Sequence, residues 1–582
     1  MIIYPIPGKI NINQTPDISI IIPMYKSKKV IEDQIRRWPV TDLGLTTEII
    51  YVDDKCPENS SQAVMQKWKI RDDHKNFYVK LIINSKNKGF GGACNVGAFH
   101  AKGKYLIFLN ADTVPEPNWL KPIFHAFEQD EKIGIVGNLQ LKEGGDQHGT
   151  IDGAGSEWLW GESNFLHIGR HILDGETLDN GPLFPEQLPQ HLNSLSEREM
   201  VTGCCLAIRK DLFKNIGGFN ERYRIGYWED SEINMTVKEK GYRVVFVPNS
   251  IIWHKLSHAK VGKHDFHDLN KQHFMSKWDA SGRLDALVKD KRPLKRPKVK
   301  KILVKREAAN GDVLVAAGII PALKNQYPEA EIHFCTSCPQ VLKNNPYIDK
   351  TIDQYETFSN LHRYQRIIEL DNVYERRPYT PIAEAYADEA GIRVEEMSYY
   401  VTSTELQSYH LPDQYIVFHA GTTNWVGRNW ISERFEEIAE RLLDNNQHIV
   451  CIGQGSDRLV PCTLDLRSRI SLFEMNYVIK QSKLFVGIDS MPMHIAQIYG
   501  VPGVAFFGSI NPKLRIYNNQ MEGIVAPNLN CLGCHHRQMP PCTSLKICET
   551  GTFNCEKEVT TDQMWSSIER KLNQCNQNTQ SV

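Results

Sequence analysis

The sequence predicts an α/β protein built on mostly parallel sheets, and three observations support this prediction. Short β-branched runs such as ISIIIPMY, TEIIYVDD and YLIFLNAD alternate with helical stretches at 28–38, 60–72 and 92–101. A basic segment at 289–301 interrupts the alternation, and KILVKREAANGDVLVAAGIIPALKNQYPEAEIHF then starts a fresh strand, glycine turn, helix and strand. Alternating strands and helices are typical of parallel sheets, because each parallel connection needs a crossover.

Composition indicates a globular protein of several domains. At 582 residues the chain is too long for one core, and 41% hydrophobic with 24% charged residues is typical of globular proteins. A formal net charge of −1 argues against a general attraction to nucleic acid. The first residues lack the basic and apolar regions of a signal peptide, and no window approaches the ~18 apolar residues of a membrane span. We therefore expect a cytoplasmic protein.

The basic segment predicts a domain boundary. Residues 289–301 hold eight Lys or Arg, one Asp and two Pro, and a stretch of like charges and prolines stays extended. We expect one domain at 1–288, a linker at 289–300, and a second unit whose two lobes span 301–405 and 406–582. The linker is either a solvated hinge or a basic face that holds the protein against anionic phospholipid.

Polar residues follow the predicted strands of the first domain where each strand ends. Pro23 and Tyr25 end the first strand, Asp53 and Asp54 the second, and Asp112 the fourth. Ligands of open parallel sheets lie beyond the carboxyl ends of the strands, so these side chains should converge on one crevice. An aspartate at a strand end also has an ordinary role, which is to bond its own turn.

The segment NKGFGGACN, residues 87–95, places three glycines before a predicted helix. Glycines such as Gly91 let a ligand approach the backbone, and the N–H groups at a helix start, which here precede Asn95, bind anions. A glycine cluster alone serves packing equally well. Beside two acidic strand ends, it predicts a phosphate-binding turn.

Residues 17–285 resemble the family-2 glycosyltransferases of the GT-A fold, especially their rhamnosyltransferase-like branch. The motifs that carry the resemblance are, in order, ISIIIPMY, EIIYVDD, NKGFGGACNVGAFHAKGKYLIFLNADT, VTGCCLAIRKDLFKNIGGFNERY, YWEDSEINMTVKEKGY and IIWH. The resemblance implies that this domain transfers a sugar, with inversion, from a UDP- or dTDP-linked donor. On these grounds the expected donor-binding residues are Pro23, Tyr25, Asp53, Gly91, Asn95 and Asp112.

The resemblance also implies a metal site at Asp112. The strand end NAD matches the family's Asp-x-Asp motif, in which a divalent cation bridges the protein carboxylate and the donor diphosphate. An oxygen-preferring cation such as Mg²⁺ or Mn²⁺ suits this role. Asn110 stands in place of the first acid, so Asp112 carries the carboxylate. His254 matches a position that reaches the metal in some relatives, although a single histidine is more often structural.

By the same resemblance, Asp230 is the general base that takes the proton of the acceptor hydroxyl, and Glu229 beside it orients the acceptor. Adjacent carboxylates in a cleft raise each other's proton affinity, which suits a base that works near neutral pH. The ordinary alternative is a helix N-terminus, where acids favour the dipole. Tyr227 and Trp228 either stack on sugar rings or fill the core.

Residues 300–575 resemble a different group, the family-9 glycosyltransferases of the GT-B fold, which include the heptosyltransferases of lipopolysaccharide. The motifs are GDVLVAAGIIPALKNQYPEAEI, VFHAGTTNWVGRNWISERFEEIAERL and KLFVGIDSMPMHIAQIYGVPGVAFFGSINP. The resemblance implies an ADP-heptose-like donor, no divalent metal in this half, and Asp312 as the catalytic base. The ordinary alternative for Asp312 is a helix N-cap.

Four further residues of this half are expected to bind the donor. Arg428 replaces the lysine that is usual in the family, and its guanidinium can grip phosphate in a bidentate manner. Asp489 and Ser490 end a strand and open a helix whose N-terminus would face the diphosphate. Thr422 is the fourth residue. His494, one turn into that helix, is expected to be structural.

A Cys-rich segment follows at 531–555, CLGCHHRQMPPCTSLKICETGTFNC. Fourteen cysteines in a chain without a secretion signal favour thiols or metal ligands over disulfides. Tetrahedral thiolates suit Zn²⁺ or iron, and one protein-heptosylating branch of family 9 resembles this segment with an iron-bound finger. A loop of reduced thiols or a labile disulfide is the alternative. The cysteines of the segment are Cys531, Cys534, Cys542, Cys548 and Cys555.

We therefore expect a bifunctional inverting glycosyltransferase, cytoplasmic or peripheral to the inner membrane. Its acceptor is expected to be a glycan or lipid-linked precursor of a bacterial cell-surface glycan, such as lipopolysaccharide, O-antigen or capsule. In one alternative, a single half is active and the other is a binding or scaffold module. In another, suggested by the Cys-rich segment, the acceptor is a protein.

Overall fold

The computed structural model consists of two compact units, Met1–Pro297 and Lys298–Val582. The boundary between them lies within the basic segment. The residues that the structure describes are 2–6, 15–39, 44–71, 78–144, 146, 148–160, 166–171, 193–255, 263–291, 298–358, 361–421, 427–534, 548 and 550–580.

The amino-terminal unit is built on one large mixed sheet. Its strands are β1 (Ile2–Ile6), β2 (Ile18–Met24), β3 (Thr47–Asp53), β4 (Tyr78–Ile83), β5 (Tyr105–Leu109), β6 (Thr113–Pro115), β7 (Ile133–Lys142), β8 (Ile151–Gly153), β9 (Ser156–Trp160), β10 (Leu166–His171), β11 (Ser196–Glu197), β12 (Cys205–Arg209) and β13 (Arg243–His254). The order across the large sheet is β1-β4-β3-β2-β5-β12-β7-β13-β11, with β6 beside β13 and β8 beside β7, and β9 and β10 form a separate two-stranded sheet. The neighbours β4, β3, β2 and β5 are parallel, so their carboxyl ends share one edge.

The first six helices of this unit lie between its strands, and the last two follow β13. They are α1 (Lys28–Arg37), α2 (Ser60–Ile70), α3 (Gly89–His100), α4 (Leu120–Gln129), α5 (Lys210–Asn215), α6 (Glu229–Glu239), α7 (Lys263–Phe274) and α8 (Leu284–Leu287). The sequence predicts the third helix from residue 92, but α3 begins at Gly89. The carboxylate of Asp54 accepts hydrogen bonds from the N–H groups of Lys88 and Gly89, each at 2.9 Å, and these bonds hold the glycines in the first turn.

One glycine of α3 allows the helix to lie directly on the sheet. A side chain at Gly97 would collide with Ile21 of β2 and crowd Val52 of β3. Both strands are almost completely buried, and their apolar side chains form the main core of this unit. Close packing of α3 therefore brings its N-terminus to the edge where β2, β3 and β5 end.

Strand β13 carries a bulge that sets where it ends. Val247 lies opposite Asn138 of β7, but Ile251 lies opposite Leu139, so residues 248–250 are inserted between two paired positions. Beyond the bulge, β13 also pairs with β6. The strand therefore ends at His254, beside the turn that follows β5.

The carboxy-terminal unit has two parallel sheets, one in each lobe. Its strands are β14 (Lys301–Lys305), β15 (Glu331–Cys335), β16 (Lys350–Ile352), β17 (Arg366–Glu369), β18 (Tyr415–His419), β19 (His448–Cys451), β20 (Leu464–Asp465), β21 (Leu484–Ile488), β22 (Gly503–Phe506) and β23 (Met521–Ile524). The orders are β16-β15-β14-β17 and β20-β19-β18-β21-β22-β23. The predicted α/β class is confirmed in both units.

Most helices of this unit lie between its strands as crossovers, and the last two follow β23. They are α9 (Asn310–Ala317), α10 (Ile320–Gln326), α11 (Gln354–Phe358), α12 (Ile382–Ala390), α13 (Ser432–Asp444), α14 (Leu472–Gln481), α15 (Met491–Ile498), α16 (Asn554–Lys557) and α17 (Thr561–Gln580). No helix among the described residues combines the length and apolar character needed to cross a bilayer.

Candidate active sites

In the amino-terminal unit, a histidine and two carboxylates are in contact near the end of β5. Asp112 follows β5, and its Oδ1 lies 3.5 Å from Nε2 of His254 at the end of β13. On the other side of the ring, Nδ1 of His254 lies 2.8 Å from Oδ2 of Asp152. The contact with Asp152 holds the ring so that Nε2 faces Asp112.

Asp152 is absent from the residues that the sequence predicts for this site. It lies in β8, which pairs with β7, and 102 positions separate it from His254. An aspartate between glycines in GTIDGAG is a weak signal, because the same pattern is typical of a turn. Its placement depends on a tertiary contact that local patterns do not encode.

The charge on His254 is set by its neighbours. Burial lowers the pKa of His254, but Cys204, Asp112 and Asp152 raise it, and the net shift is upward. Burial also raises the pKa of the Cys204 thiol, so that group is neutral near pH 7 and the carboxylates account for the shift on His254. Two acidic side chains thus hold the imidazole from opposite sides.

The carboxylate of Asp230 receives two backbone N–H groups at the start of α6. Gly203 donates to Oδ2 at 3.0 Å, and Ser231 donates to Oδ1 at 2.7 Å. Gly203 precedes Cys204, whose carbonyl accepts the N–H of Asn110 at 2.9 Å. Asp230 and the turn after β5 are therefore tied to the same short segment, so that the structure brings the two predicted groups of acids to one site.

Glu229, next to Asp230, is almost fully buried. Burial and the charge of Asp230 raise the pKa of Glu229 from 4.5 to about 8. Its Oε2 has no hydrogen-bond partner among the described residues. The side chain is therefore neutral at pH 7, and a neutral carboxyl group donates a hydrogen bond as well as accepting one.

The loop before α6 has an unusual backbone. Ile225, Tyr227 and Trp228 have φ angles of 67°, 77° and 76°, a conformation that costs free energy for residues other than glycine. The side chain of Asn270 in α7 is 1% exposed and donates to three carbonyl groups of this loop. Trp228 is buried in the core, whereas the ring of Tyr227 is exposed beside the site.

Two predicted donor-binding side chains bond the protein's own loops. Oδ1 of Asp53 accepts the N–H of Cys56 at 2.6 Å, and Oδ2 accepts the hydroxyl of Ser61. The side-chain amide of Asn95 bonds the N–H and carbonyl of Phe219 at 2.9 and 2.8 Å. Asp53 ends β3 at the predicted edge, whereas Asn95 lies in the middle of α3.

The other predicted residues of this edge lie on or near the strand ends. A Cβ at Gly91 would come within 3.1 Å of Phe219, so this glycine accommodates a protein side chain. Pro23 lies in β2 opposite Val52. Tyr25 follows β2 and is exposed, as a ligand-binding residue would have to be.

In the carboxy-terminal unit, a cleft of about 810 Å³ is lined by both lobes. Asp312 lies on the wall from the first lobe, with Oδ2 at 2.6 Å from Nη2 of Arg306 and 3.0 Å from the hydroxyl of Tyr374. Burial raises the pKa of Asp312, but Arg306 and Arg515 lower it, and the net shift is downward. Asp312 is therefore ionised near neutral pH.

Asp312 is not a helix N-cap. Ala309 occupies that position of α9, and the carboxylate of Asp312 bonds side chains instead. Its partner Arg306 also lies 2.9 Å from Oε1 of Glu375, whose Oε2 has no partner among the described residues. One buried guanidinium is thus shared between two carboxylates.

The second lobe contributes the predicted donor-binding residues. Arg428 donates through Nη2 to the carbonyl oxygen of Asp489 at 2.8 Å and to its Oδ2 at 2.7 Å. Oγ of Ser490 lies 3.1 Å from Nδ1 of His419, whose Nε2 is 3.5 Å from Oδ2 of Asp457. The structure thus brings Arg428, Asp489 and Ser490 together at the start of α15.

His494 and several unpredicted residues also line this cleft. His494 is buried, its pKa is lowered to about 4 by that burial, and its ring stacks on Tyr517 with centroids 5.9 Å apart. The strand-end rule would have found Arg306, which directly follows β14, but gives no hint of Arg515. Among the cleft residues that sequence reasoning missed are Tyr374, His419, Asp457 and Arg515.

The predicted metal ligands of the Cys-rich segment are only partly described. Thr422 of the donor site and Cys542 of this segment lie outside the described residues. Burial raises the pKa of Cys555 to about 12, and Glu556 and three nearby cysteines add to the shift. Within the described ranges, no group of three or more His, Cys, Asp or Glu is arranged to hold a metal ion. The described cysteines of the segment are Cys531, Cys534, Cys548 and Cys555.

Two family models match the chain, one in each unit. Residues 19–217 match glycosyl transferase family 2, and residues 381–542 match glycosyltransferase family 9, the heptosyltransferase family. The predicted resemblances, and the GT-A and GT-B fold classes that they imply, are confirmed by these matches.

Individual relatives match only parts of the chain. The O-antigen biosynthesis protein RfbC of Myxococcus xanthus is 25% identical over 266 residues, which is 44% of this chain and 18% of that protein. The N-acetylglucosaminyl-diphospho-decaprenol L-rhamnosyltransferase of Mycobacterium tuberculosis is 23% identical over 237 residues, 38% of this chain and 71% of that enzyme. The chain thus spans less than a fifth of the length of the Myxococcus protein.

Among solved structures, the iron-containing dodecameric glycosyltransferase TibC from enterotoxigenic E. coli H10407 is similar over 48% of this chain and 78% of its own, with 13% identity and a TM-score of 0.40. Residues 19–217 match the model of glycosyl transferase family 2 and residues 381–542 match that of glycosyltransferase family 9, so that one chain joins regions similar to two glycosyltransferase families.

Proposed function

We propose that the chain is a bifunctional inverting glycosyltransferase. The observation that carries the proposal is that each unit, matching a different glycosyltransferase family, gathers a candidate base and charged groups suited to a nucleotide diphosphate. We assign the amino-terminal enzyme to 1–288, the linker to 289–300, and the acceptor and donor lobes of the second enzyme to 301–405 and 406–582. The donors are a UDP- or dTDP-sugar for the first and an ADP-heptose-like sugar for the second.

In the amino-terminal enzyme, Asp112 and His254 would hold a divalent cation. Metal-binding histidines usually bond a carboxylate through the other ring nitrogen, and His254 meets Asp152 in this way. A carboxylate oxygen and the Nε2 of His254, once that nitrogen has lost its proton, would fit a cation such as Mn²⁺ or Mg²⁺. When bound, the cation would neutralise charge on the leaving phosphate.

Asp230 is the proposed base of this enzyme. Its two backbone hydrogen bonds fix the carboxylate at the start of α6, where it would accept the proton of the acceptor hydroxyl. Neutral Glu229 beside it would orient the acceptor by a hydrogen bond. Pro23, Tyr25 and Asp53 would line the nucleotide side of the crevice.

In the carboxy-terminal enzyme, Asp312 is the proposed base. Arg306 keeps it ionised at neutral pH, which is the form that accepts a proton, although at some cost in basicity. Arg428 and the N-terminus of α15, which begins after Asp489 and Ser490, would bind the donor diphosphate without a metal.

The proposed acceptor is a precursor of a bacterial cell-surface glycan. The names of the relatives from Myxococcus and Mycobacterium refer to O-antigen biosynthesis and to rhamnosyl transfer onto N-acetylglucosaminyl-diphospho-decaprenol, a lipid-linked acceptor, and this motivates the acceptor class. We place the enzyme in the cytoplasm, where nucleotide sugars are used, with the basic segment available to contact the inner membrane.

Two alternatives are kept because particular residues favour them. Asn110 and Arg428 depart from their family patterns, which favours an inactive, carbohydrate-binding half. The Cys-rich segment favours a protein acceptor, and we propose that its thiolates hold Zn²⁺ or iron. Elemental analysis of protein purified without oxygen tests that metal.

Turnover of a panel of nucleotide sugars by the purified full chain tests the proposal. We expect two donors to be consumed, one lost in Asp230→Asn and the other lost in Asp312→Asn. If only one donor is consumed, or if only one of the two substitutions lowers the consumption of any donor, the chain is not bifunctional. The alternative with a single active half then holds.

A further inference from the structure

A buried arginine without a full set of partners lines the carboxy-terminal cleft. Arg515 is 4% exposed, and its Nη1 has no hydrogen-bond partner among the described residues. Its backbone carbonyl accepts a bond from Gln497 at 3.2 Å, which fixes the residue at the cleft wall. A buried charged donor without a partner is costly, so a guanidinium kept in this position indicates a bound anion.

Arg515 lies between the donor-binding residues and the base. Its Nε is 3.9 Å from Oδ2 of Asp489, the carboxylate that also binds Arg428. On its other side, the guanidinium lies 4.3 Å from the ring centroid of Tyr374, whose hydroxyl donates to Asp312. The guanidinium groups of Arg428 and Arg515 thus both face the carboxylate of Asp489. Arg515 also contacts Tyr374 on the opposite wall of the cleft, and Tyr374 bonds the proposed base.

We propose that Arg515 binds the β-phosphate of the donor nucleoside diphosphate and stabilises it as the leaving group. The proposal rests on the donor class proposed above for this enzyme. In the reaction, the acceptor hydroxyl gives its proton to Asp312 and its oxygen bonds the anomeric carbon. The bond from that carbon to the β-phosphate oxygen breaks, and its electron pair stays on the phosphate, which gains one negative charge.

The chemistry of the surroundings fits this role. A guanidinium offers two parallel N–H groups to a phosphate, and the start of α15 at Met491 adds backbone N–H groups. Asp489 holds Arg428 and Arg515 in place as their counter-ion, so little ordering is needed when a diphosphate replaces it. The cleft therefore contains the positive charge that a metal supplies in other enzymes.

Binding of ADP and AMP to the full chain, measured by calorimetry with EDTA present, tests the proposal. Arg515→Met keeps the stacking on Tyr374 but removes the charge, and it should weaken ADP binding about 10- to 100-fold, the worth of a charge-assisted hydrogen bond. AMP lacks the β-phosphate and makes no contact there with Arg515, so its affinity should fall by less than about 2-fold. Arg458→Met, a substitution of an arginine of the same lobe that pairs with Glu436 outside the cleft, is the control and should change neither affinity.

The outcomes separate this inference from the function on which it rests. If the wild-type chain does not bind ADP, the proposed donor class fails and the inference fails with it. If wild type and Arg515→Met bind ADP equally, or if the substitution lowers the affinities for ADP and AMP by the same factor, only the role of Arg515 is overturned. If Arg515→Met does not fold, Arg515→Lys is measured instead. The ratio of ADP affinity to AMP affinity should still fall about 3-fold or more, because lysine lacks the two parallel N–H groups of a guanidinium. An unchanged ratio contradicts the proposal.

Discussion

The two candidate sites handle charge in opposite ways. The amino-terminal site contains four acidic residues and one histidine, and the carboxy-terminal cleft gathers arginines around its acids. A crevice rich in carboxylates repels a diphosphate, whereas buried guanidinium groups attract it. The acids of the first site are Asp112, Asp152, Glu229 and Asp230, and the arginines of the second are Arg306, Arg428 and Arg515.

This difference shows two answers to one chemical requirement. A departing nucleoside diphosphate needs positive charge, and the first site would have to import it with a cation. The second site has it already, in side chains that Asp312 and Asp489 keep in place. The contrast makes the two halves separable by experiment within one chain.

The largest effect is expected from removing the two bases. Asp230→Asn should lower turnover of the amino-terminal reaction about 10²- to 10⁴-fold, and Asp312→Asn should do the same to the other reaction, because each loses only its proton acceptor. Steady-state assays with each donor measure this, with Asp211→Asn, at a helix start elsewhere in the first unit, as the control. A loss of donor affinity with unchanged turnover would assign Asp230 to binding instead.

Chelation of divalent metal should affect the reactions of the two halves differently. Excess EDTA should lower transfer by the amino-terminal enzyme about 100-fold or more, because its acids are left without the cation that offsets the diphosphate. The carboxy-terminal reaction should keep its full rate in the same solution. Equal inhibition of both reactions, or of neither, would remove the contrast that we draw from the charges.

pH should affect the two buried carboxyl groups differently. Glu229 has a pKa of about 8 in the folded chain against 4.5 when exposed, so its cost in stability is small at low pH and grows as the pH rises to 8. Glu229→Gln removes that cost and should raise the free energy of unfolding by on the order of 4 kcal/mol at pH 8, and by only about 1 kcal/mol at pH 5.

Asp312 is the internal comparison for this pH experiment. Its pKa is lowered in the folded chain, so its contribution to stability is complete above the ordinary pKa and is lost only as the pH falls through the lowered value. The destabilisation by Asp312→Asn should therefore be constant between pH 5 and pH 8. Urea unfolding of both variants at the two pH values gives the answer, and a constant effect of Glu229→Gln would show that this side chain is not held neutral.

The smallest effect is expected at Asp152. Asp152→Asn leaves the cation's proposed ligands intact but weakens the bond that orients His254, and such changes typically cost about ten-fold in metal affinity. Titration of Mn²⁺ into the full chain measures the change. Asp146→Asn, which alters an exposed aspartate nearby, should bind Mn²⁺ as the wild type does. The same affinity in both variants would mean that Asp152 has only a structural role.

Strand-end reasoning predicted the edge of the first site correctly. Parallel strands end at one edge of a sheet, and Asp112 lies there as expected. The same reasoning did not foresee that Asp53 and Asn95 bond the protein's own loops. A position at an edge follows from the strand pattern, but the partner of a side chain depends on loops whose paths no local pattern describes.

The residues that sequence reasoning missed act through distant partners. Asp152 meets His254 across 102 positions, and Tyr374 meets Asp312 across 62. The periods of helices and strands relate residues only a few positions apart, so they are silent about such pairs. To predict Arg515 as a site residue, one would also have to know the shape of the cleft that the two lobes form.

The length of the bulge in β13 determines which face of the sheet each later side chain of the strand points to. Side chains alternate between the two faces of a strand, so adding or removing one residue at 248–250 would exchange the faces of the positions beyond it. Trp253 would then point where His254 does, and the imidazole would turn away from Asp112. Insertions of two residues preserve the alternation. A change of one residue there would also turn the fully buried Ile252 away from the core, so the length of this stretch affects both the packing of the first unit and the position of His254.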